Sequence, residues 1–169
     1  LFPQEPEIFE NTIAYNITLG LPYENAEIAS ICQTVHFTDV LAQLPKGLSS
    51  NIVERGVNLS GGQKQRLALA RGLFAARDNE IILLDEPTSS VDPKTESRIY
   101  ERMFAEMGDK VVVSALHRLH LLTRFDYVYV LSQGKVVDQG TLTELLDKST
   151  IFRELWAHQE DLRPEWKPS

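Results

Sequence analysis

Apolar positions along this chain fall into two different rhythms. Across residues 9–76 they recur mainly at helical spacing, with a helix predicted over 26–34 behind Asn25 as a possible N-cap and another over 37–42. Pro45-Lys46-Gly47 reads as a turn, and a further helix runs from Ser60 through Ala76. From Glu80 onward, short apolar runs alternate with helical ones: a strand over 81–85, a helix over 93–107, a second strand over 111–115. Continuous rather than alternating hydrophobicity in those strands implies a parallel sheet covered on both faces, hence an α/β fold. Asp92 followed by Pro93 is a helix start, Ile99, Met103 and Met107 mark one buried face, and Gly108 is the stop. Segments 127–132 and 135–139 flank Gln133-Gly134 as a hairpin, and 141–146 and 151–159 read as closing helices before a frayed tail over 161–169.

Composition narrows the class without naming a function. With 169 residues, 43% hydrophobic and 24% charged, the chain suits one core domain, and its apolar runs fall short of a membrane span. Any membrane association must therefore come through a partner. A net charge of −7 argues against nonspecific nucleic-acid binding. The stretch from Glu54 to Arg77 nonetheless holds five basic residues against one acidic, an excess that suits a phosphate ligand. The lone Cys32 permits neither an internal disulfide nor a cysteine metal cluster and reads as a small buried apolar residue. The sequence starts at Leu1, without an initiator methionine, at what reads as a strand-to-loop junction, so a fragment is expected.

Asn58-Leu59-Ser60-Gly61-Gly62-Gln63-Lys64-Gln65-Arg66 carries the first chemistry. Glycines let backbone N–H groups approach an anion, the Ser60 hydroxyl adds a donor, and a helix start carries roughly +0.5 of an elementary charge. The usual companion is missing: no G-x-x-x-x-G-K-[ST] phosphate loop occurs, and the one Gly-Lys pair, Gly134-Lys135, is followed by Val136. The chain thus reads as half of a phosphate site.

The second chemical motif is the strand over 81–85, which delivers Asp85 and then Glu86 at its C-terminal end, where open α/β sheets bind ligands. Asp85 can hold hydrated Mg²⁺, and Glu86 can accept a proton from an attacking water. Taken alone, such a pair could simply end a strand in solvent.

Together these motifs resemble the nucleotide-binding domain of ATP-binding-cassette (ABC) transporters over nearly the whole chain. Leu59-Ser60-Gly61-Gly62-Gln63 matches the family signature, Leu83-Leu84-Asp85-Glu86-Pro87-Thr88 the Walker B segment, and Ser89-Ser90-Val91-Asp92 the D-loop, where alanine and leucine are more usual than Ser90 and Val91. Gln4 looks like the Q-loop glutamine that senses Mg²⁺ and the attacking water, and His117 like the switch histidine that donates to the γ-phosphate. His36, His120 and His158 lack that alignment and are expected to be structural or surface residues.

The resemblance implies a partial P-loop NTPase (RecA-like) parallel sheet with an inserted α-helical signature subdomain. Residues 1–8 would form the Q-loop junction, 9–76 the helical subdomain, 77–160 the remaining core and 161–169 the tail. It implies ATP and Mg²⁺ as cofactors, with Glu86, His117 and Gln4 catalytic and Asp85 and Gln4 at the metal. It also implies a second nucleotide-binding domain facing this one head to tail, so that Ser60, Gly61, Gly62 and Gln63 act on ATP held by the partner while Asp92 communicates across the interface. Glu54-Arg55-Gly56 and the stretch from Phe9 to Ile17 look exporter-like, which implies transmembrane partner domains and the cytoplasmic face of a membrane, a bacterial inner membrane being the expected one. Two alternatives stay open: a soluble cassette ATPase that is not a transporter, and a noncatalytic fragment supplying only the signature face. With the family's Walker A strand missing, the sheet is expected to expose apolar surface and the isolated chain to be marginally stable or self-associating.

Overall fold

The computed structural model describes residues 7–52 and 58–161 of the chain. It divides into two compact units, residues 1–115 and 116–169. In the first, α1 (Ile13–Thr18), α2 (Asn25–Thr34), α3 (Thr38–Gln43) and α4 (Gly61–Ala75) precede β1 (Ile81–Asp85), α5 (Pro93–Glu106) and β2 (Val111–Ala115). Among the described residues, the helices expected within 9–76, both strands and the long helix after Asp92 are present. Asn25, however, is the first residue of α2 and not its cap; Glu24 holds the cap position, with no side-chain bond to the helix.

Apolar spacing explains how the helices pack. Ile13 and Ile17 of α1, four residues apart, are fully buried, as are Leu67 and Ala70 of α4, and the two helices lie against each other. Their alignment is fixed by polar groups as well. The buried Asn16 side chain donates to the carbonyls of Phe9 and Thr12, and Arg71 of α4 donates to the Asn16 carbonyl at 2.6 Å and to Asn16 Oδ1 at 3.1 Å. The chain ahead of the signature returns to α1, with Ile13 N–H donating to the Ser50 carbonyl and Ile52 N–H to the Asn11 carbonyl.

β1 and β2 pair in parallel, Ile81 opposite Val111 through Asp85 opposite Ala115, and α5 makes the crossover. Its buried face is Ile99, Tyr100 and Met103, and the Tyr100 hydroxyl lies 3.4 Å from Ser114 Oγ, placing α5 over the even-numbered side of the sheet. Ile82 and Leu84 are buried on that side. The opposite side is open: Ile81, Leu83, Val111 and Val113 keep 59, 45, 58 and 54% of their surface. The expectation of cover on both faces is therefore corrected, because a continuous apolar run records that both faces are oily and not what lies on each.

The second unit has its own core. A 3₁₀ turn (Leu119–Arg124) leads into β3 (Val128–Ser132) and β4 (Lys135–Gly140), an antiparallel hairpin whose turn residues Gln133 and Gly134 both take positive φ, at 48° and 73°. Then come α6 (Leu142–Lys148), capped by Thr141 and Glu144 acting reciprocally, and α7 (Thr150–Asp161). Leu122, Val128, Val130, Leu145 and Phe152 form the buried cluster, with Trp156 against Phe152.

The open sheet face predicts that the chain self-associates and binds an apolar fluorescent dye, and that joint replacement of Leu83 and Val113 by threonine, which keeps strand propensity, lowers both. Sedimentation velocity over a concentration series checks this, and a strictly monomeric, dye-silent parent chain would contradict it. Cys32 is buried, and burial pushes its thiol up to about 11. Its alkylation in the native chain should therefore stay slow across pH 7–9, the range in which an exposed thiol of ordinary pKa near 8.5 ionises, and become fast only on unfolding.

Candidate functional site

The site is built around the first turn of α4. Ser60 is its N-cap: the Ser60 hydroxyl oxygen accepts from Gln63 N–H at 3.3 Å, while Gln63 Oε1 accepts from Ser60 N–H at 2.8 Å, a reciprocal capping box. The cap satisfies the third N–H of the helix and leaves those of Gly61 and Gly62 without an acceptor inside the helix. A hydroxyl that accepts can still donate, so the cap does not use up the Ser60 proton. Gln63 is exposed to a different duty: its side-chain oxygen closes the cap.

The two glycines have different reasons to be glycine. A Cβ at Gly62 would meet the Ser90 carbonyl oxygen at 2.8 Å, closer than side-chain carbons come to backbone. A Cβ at Gly61 would find only Ser90 Cβ, at 3.9 Å, an ordinary contact. Gly62 is thus demanded by internal packing. Gly61 is exposed, and nothing among the described residues requires it to be small.

The backbone pressing on Gly62 is the loop that follows β1. Asp85 is exposed on the same side as Ile81 and Leu83, and Glu86 then turns away with φ of +45°, a left-handed conformation that costs a non-glycine residue about 1 kcal/mol and is concentrated at functional sites. Glu86 N–H donates to the Ala115 carbonyl, tying this turn to β2. Thr88 is buried, and its hydroxyl donates to the buried Glu96 carboxylate at 2.6 Å. Gln65 anchors the rest: Nε2 donates to Ser89 Oγ and Oε1 accepts from Ser90 N–H, both at 2.7 Å. Asp92 caps α5, accepting from Thr95 N–H at 3.0 Å, and its hydrogen bonds from Thr95 hold its carboxyl below the usual range.

The basic excess around the signature is largely spent inside the unit. Arg66 donates to the His36 carbonyl, and its guanidinium is pulled down by burial and back up by the Asp39 and Asp92 carboxylates. Arg71 holds α1 and stacks over Phe9, and Arg77 pairs with Glu27 at 3.5 Å and lies over Phe74. Three of the five basic residues therefore organise packing, which corrects the reading that their charge suits a phosphate. His36 is half-buried at the left-handed position after α2, with φ of +53°, a structural role as expected.

Within the first unit, then, Gly61, Gly62 and Gln65 lie against the loop that joins Asp85 and Glu86 to Asp92, while Ser60 and Gln63 are bonded to each other at the start of the same helix. His117 is exposed in the bend after β2 and belongs to the second unit. Gln4 and Glu54-Arg55-Gly56 lie outside the described residues. Sequence reasoning passed over Gln65. The signal was available, because Gln65 shares the face of Leu69 and Leu73 at four-residue spacing, a polar residue in a buried row. Among the described residues no group of three or more His, Cys, Asp or Glu is placed to hold a metal ion. One exposed Asp85 beside Glu86 fits Mg²⁺, which keeps most of its waters and binds through one or two carboxylates plus substrate phosphates.

Comparison with known proteins agrees with this geometry. A family model described as ABC transporter matches residues 1–89. The chain is 37% identical over 160 residues to an ATM1-type heavy metal exporter of Novosphingobium aromaticivorans, covering 94% of this chain and 26% of that protein. It is 39% identical over 165 residues to a mitochondrial iron-sulfur clusters transporter ATM1 of Candida glabrata, covering 95% and 22%, and 38% identical over 156 residues to an ABC-type transporter atr1 of Mycosarcoma maydis, covering 89% and 11%. A solved bacterial Atm1-family ABC exporter with ATP bound superposes with a TM-score of 0.83 at 36% identity, over 94% of this chain and 28% of that one. The chain spans at most about a quarter of the length of these curated relatives. A signature turn packed on the loop after two strand-end carboxylates, in a fold shared with an ABC exporter, places this chain in the ABC transporter family.

Proposed function

We propose that this chain supplies the signature face, the Walker B carboxylates and the D-loop of an exporter's nucleotide-binding domain, which binds and hydrolyses ATP to drive transport. The observation that carries the reading is the pairing of an exposed, sterically unexplained Gly61 on a capped helix start with an Asp85-Glu86 strand end on the same unit. Ser60 and the Gly61 and Gly62 N–H groups are donors for the γ-phosphate of ATP held by a second nucleotide-binding domain, with Gln63 keeping the turn in shape. Asp85 holds hydrated Mg²⁺, which when bound neutralises charge developing on the phosphate oxygens. Glu86 accepts the proton of the attacking water, His117 donates to the γ-phosphate, and Gln4 positions the water at the metal. Asp92, whose carboxyl the hydrogen bonds from Thr95 hold below the usual range, faces the partner domain.

Closure around ATP and reopening after hydrolysis form a population shift that transmembrane domains convert into transport. In this reading residues 9–76 are the helical subdomain and 77–160 the remaining RecA-like core. No helix among the described residues is long and apolar enough to cross a membrane, which fits membrane attachment through those partner domains. The relatives' names as exporters and transporters, bacterial and mitochondrial among them, support a membrane setting, and the cytoplasmic face of a bacterial inner membrane is the one proposed here. The exporter and transporter names of the relatives support transport over a soluble cassette ATPase. For the chain by itself, the absence of a phosphate loop from its sequence supports a signature-face donor without turnover of its own.

Purified alone, the chain should show no Mg²⁺-dependent ATP hydrolysis in a phosphate-release assay. Robust turnover abolished by Glu86→Gln would contradict the shared-site reading. In an intact transporter carrying this sequence, Glu86→Gln should lower kcat about 100-fold or more while ATP still binds. The two glycines should also separate. Gly62→Ala should cost about 1–3 kcal/mol of stability through the Ser90 carbonyl. Gly61→Ala should leave stability unchanged or raise it by at most about 1 kcal/mol, yet weaken ATP-driven closure.

A further inference from the structure

The loop from Ser89 to Asp92 is mostly exposed, with only the Val91 side chain buried, yet it must keep a fixed relation to the first turn of α4 because Ser90 fills the space that Gly62 leaves. Exposed loops do not hold such relations unaided. Gln65 supplies the hold from beneath. A backbone N–H can only donate, so the Gln65 atom facing Ser90 N–H is the oxygen, which leaves Nε2 for Ser89 Oγ and fixes the amide orientation without ambiguity. Consecutive residues of the loop are thereby clamped by one buried side chain.

Packing alone would not choose glutamine here. Gln65 keeps 5% of its surface and lies in a row with Leu69 and Leu73, where leucine would fill the same space without an amide to desolvate. Its amide is retained where both ends are paired to the loop. We infer that Gln65 is a positioning residue that makes residues 60–62 and 89–92 move as one body, so that anion contact at the signature turn and partner contact at Asp92 are made or lost together. This rests on the shared-site reading of the proposed function.

Two variants separate the clamp from packing. Gln65→Leu removes both bonds and preserves volume; Gln65→Glu retains them, since carboxylate oxygens accept from Ser90 N–H and from a Ser89 hydroxyl turned to donate. Amide hydrogen exchange of the chain without nucleotide should show Ser90 N–H exchanging about tenfold faster in Gln65→Leu, relative to Ala70 within α4, and restored in Gln65→Glu. In an intact transporter with hydrolysis blocked by Glu86→Gln, added Gln65→Leu should raise the ATP concentration for half-closure about tenfold, with Glu at position 65 restoring it. If the leucine variant fails to fold, Ser89→Ala, at an exposed site, removes the hydroxyl that Gln65 Nε2 reaches and should give a smaller shift in the same two readouts. Unchanged Ser90 exchange, an unchanged ATP requirement, or glutamate behaving like leucine would overturn the inference. A parent protein with protected Ser90 but no ATP-driven closure would instead overturn the shared site, and the coupling with it, while the clamp itself stood.

Discussion

The Ser90 carbonyl comes so near the start of α4 that a single added carbon at Gly62 would collide with it. Everything chemically interesting in the first unit is arranged around that approach. It forces a glycine into the signature turn, sets the loop that begins at Glu86 against the helix that begins at Ser60, and brings Gln65 within bonding distance of both Ser89 and Ser90. A helix start and a strand end distant in sequence become one surface. The left-handed Glu86 is the local cost of turning the chain sharply enough to reach that position.

That surface is held from behind by packing that uses charge sparingly on ligands. Arg66 ties α4 to the turn after α2 through the His36 carbonyl, and Arg71 ties it to α1 through Asn16. These guanidiniums replace what water would give to buried carbonyls, so removing one would orphan several acceptors at once. The donors proposed for an anion are backbone N–H groups and the Ser60 hydroxyl, which offer direction without a full charge. A site of that kind is weak alone. It suits a ligand already held by another group, and the sheet face of Ile81, Leu83, Val111 and Val113 is likewise left open among the described residues.

Much of this was legible in the sequence, and the limits have physical causes. Strand positions 81–85 and 111–115 could be read because each is a short apolar run between polar stops, and α5 because Asp92-Pro93 and Gly108 bracket a helical stripe. Which face of the sheet is covered could not be read, since apolarity is the same on both sides of a parallel strand. Basic residues around the signature suggested phosphate because charge is visible in sequence while its partner is not; Arg66 and Arg71 find theirs across 30 and 55 residues of chain. Gln65 was hidden by its more conspicuous neighbour Gln63. Only the loop's position reveals that one glutamine closes a cap and the other clamps the loop.

The central claim is that the first turn of α4 completes a nucleotide site belonging to another domain. A solved structure of an intact transporter carrying this sequence, with Glu86→Gln and bound ATP, tests it most directly. The account predicts Ser60 Oγ and the Gly61 and Gly62 N–H groups within hydrogen-bond distance of a γ-phosphate whose phosphate loop lies on the opposing domain. A nucleotide held entirely by one domain, with the Ser60 turn facing solvent in the closed state, would contradict it.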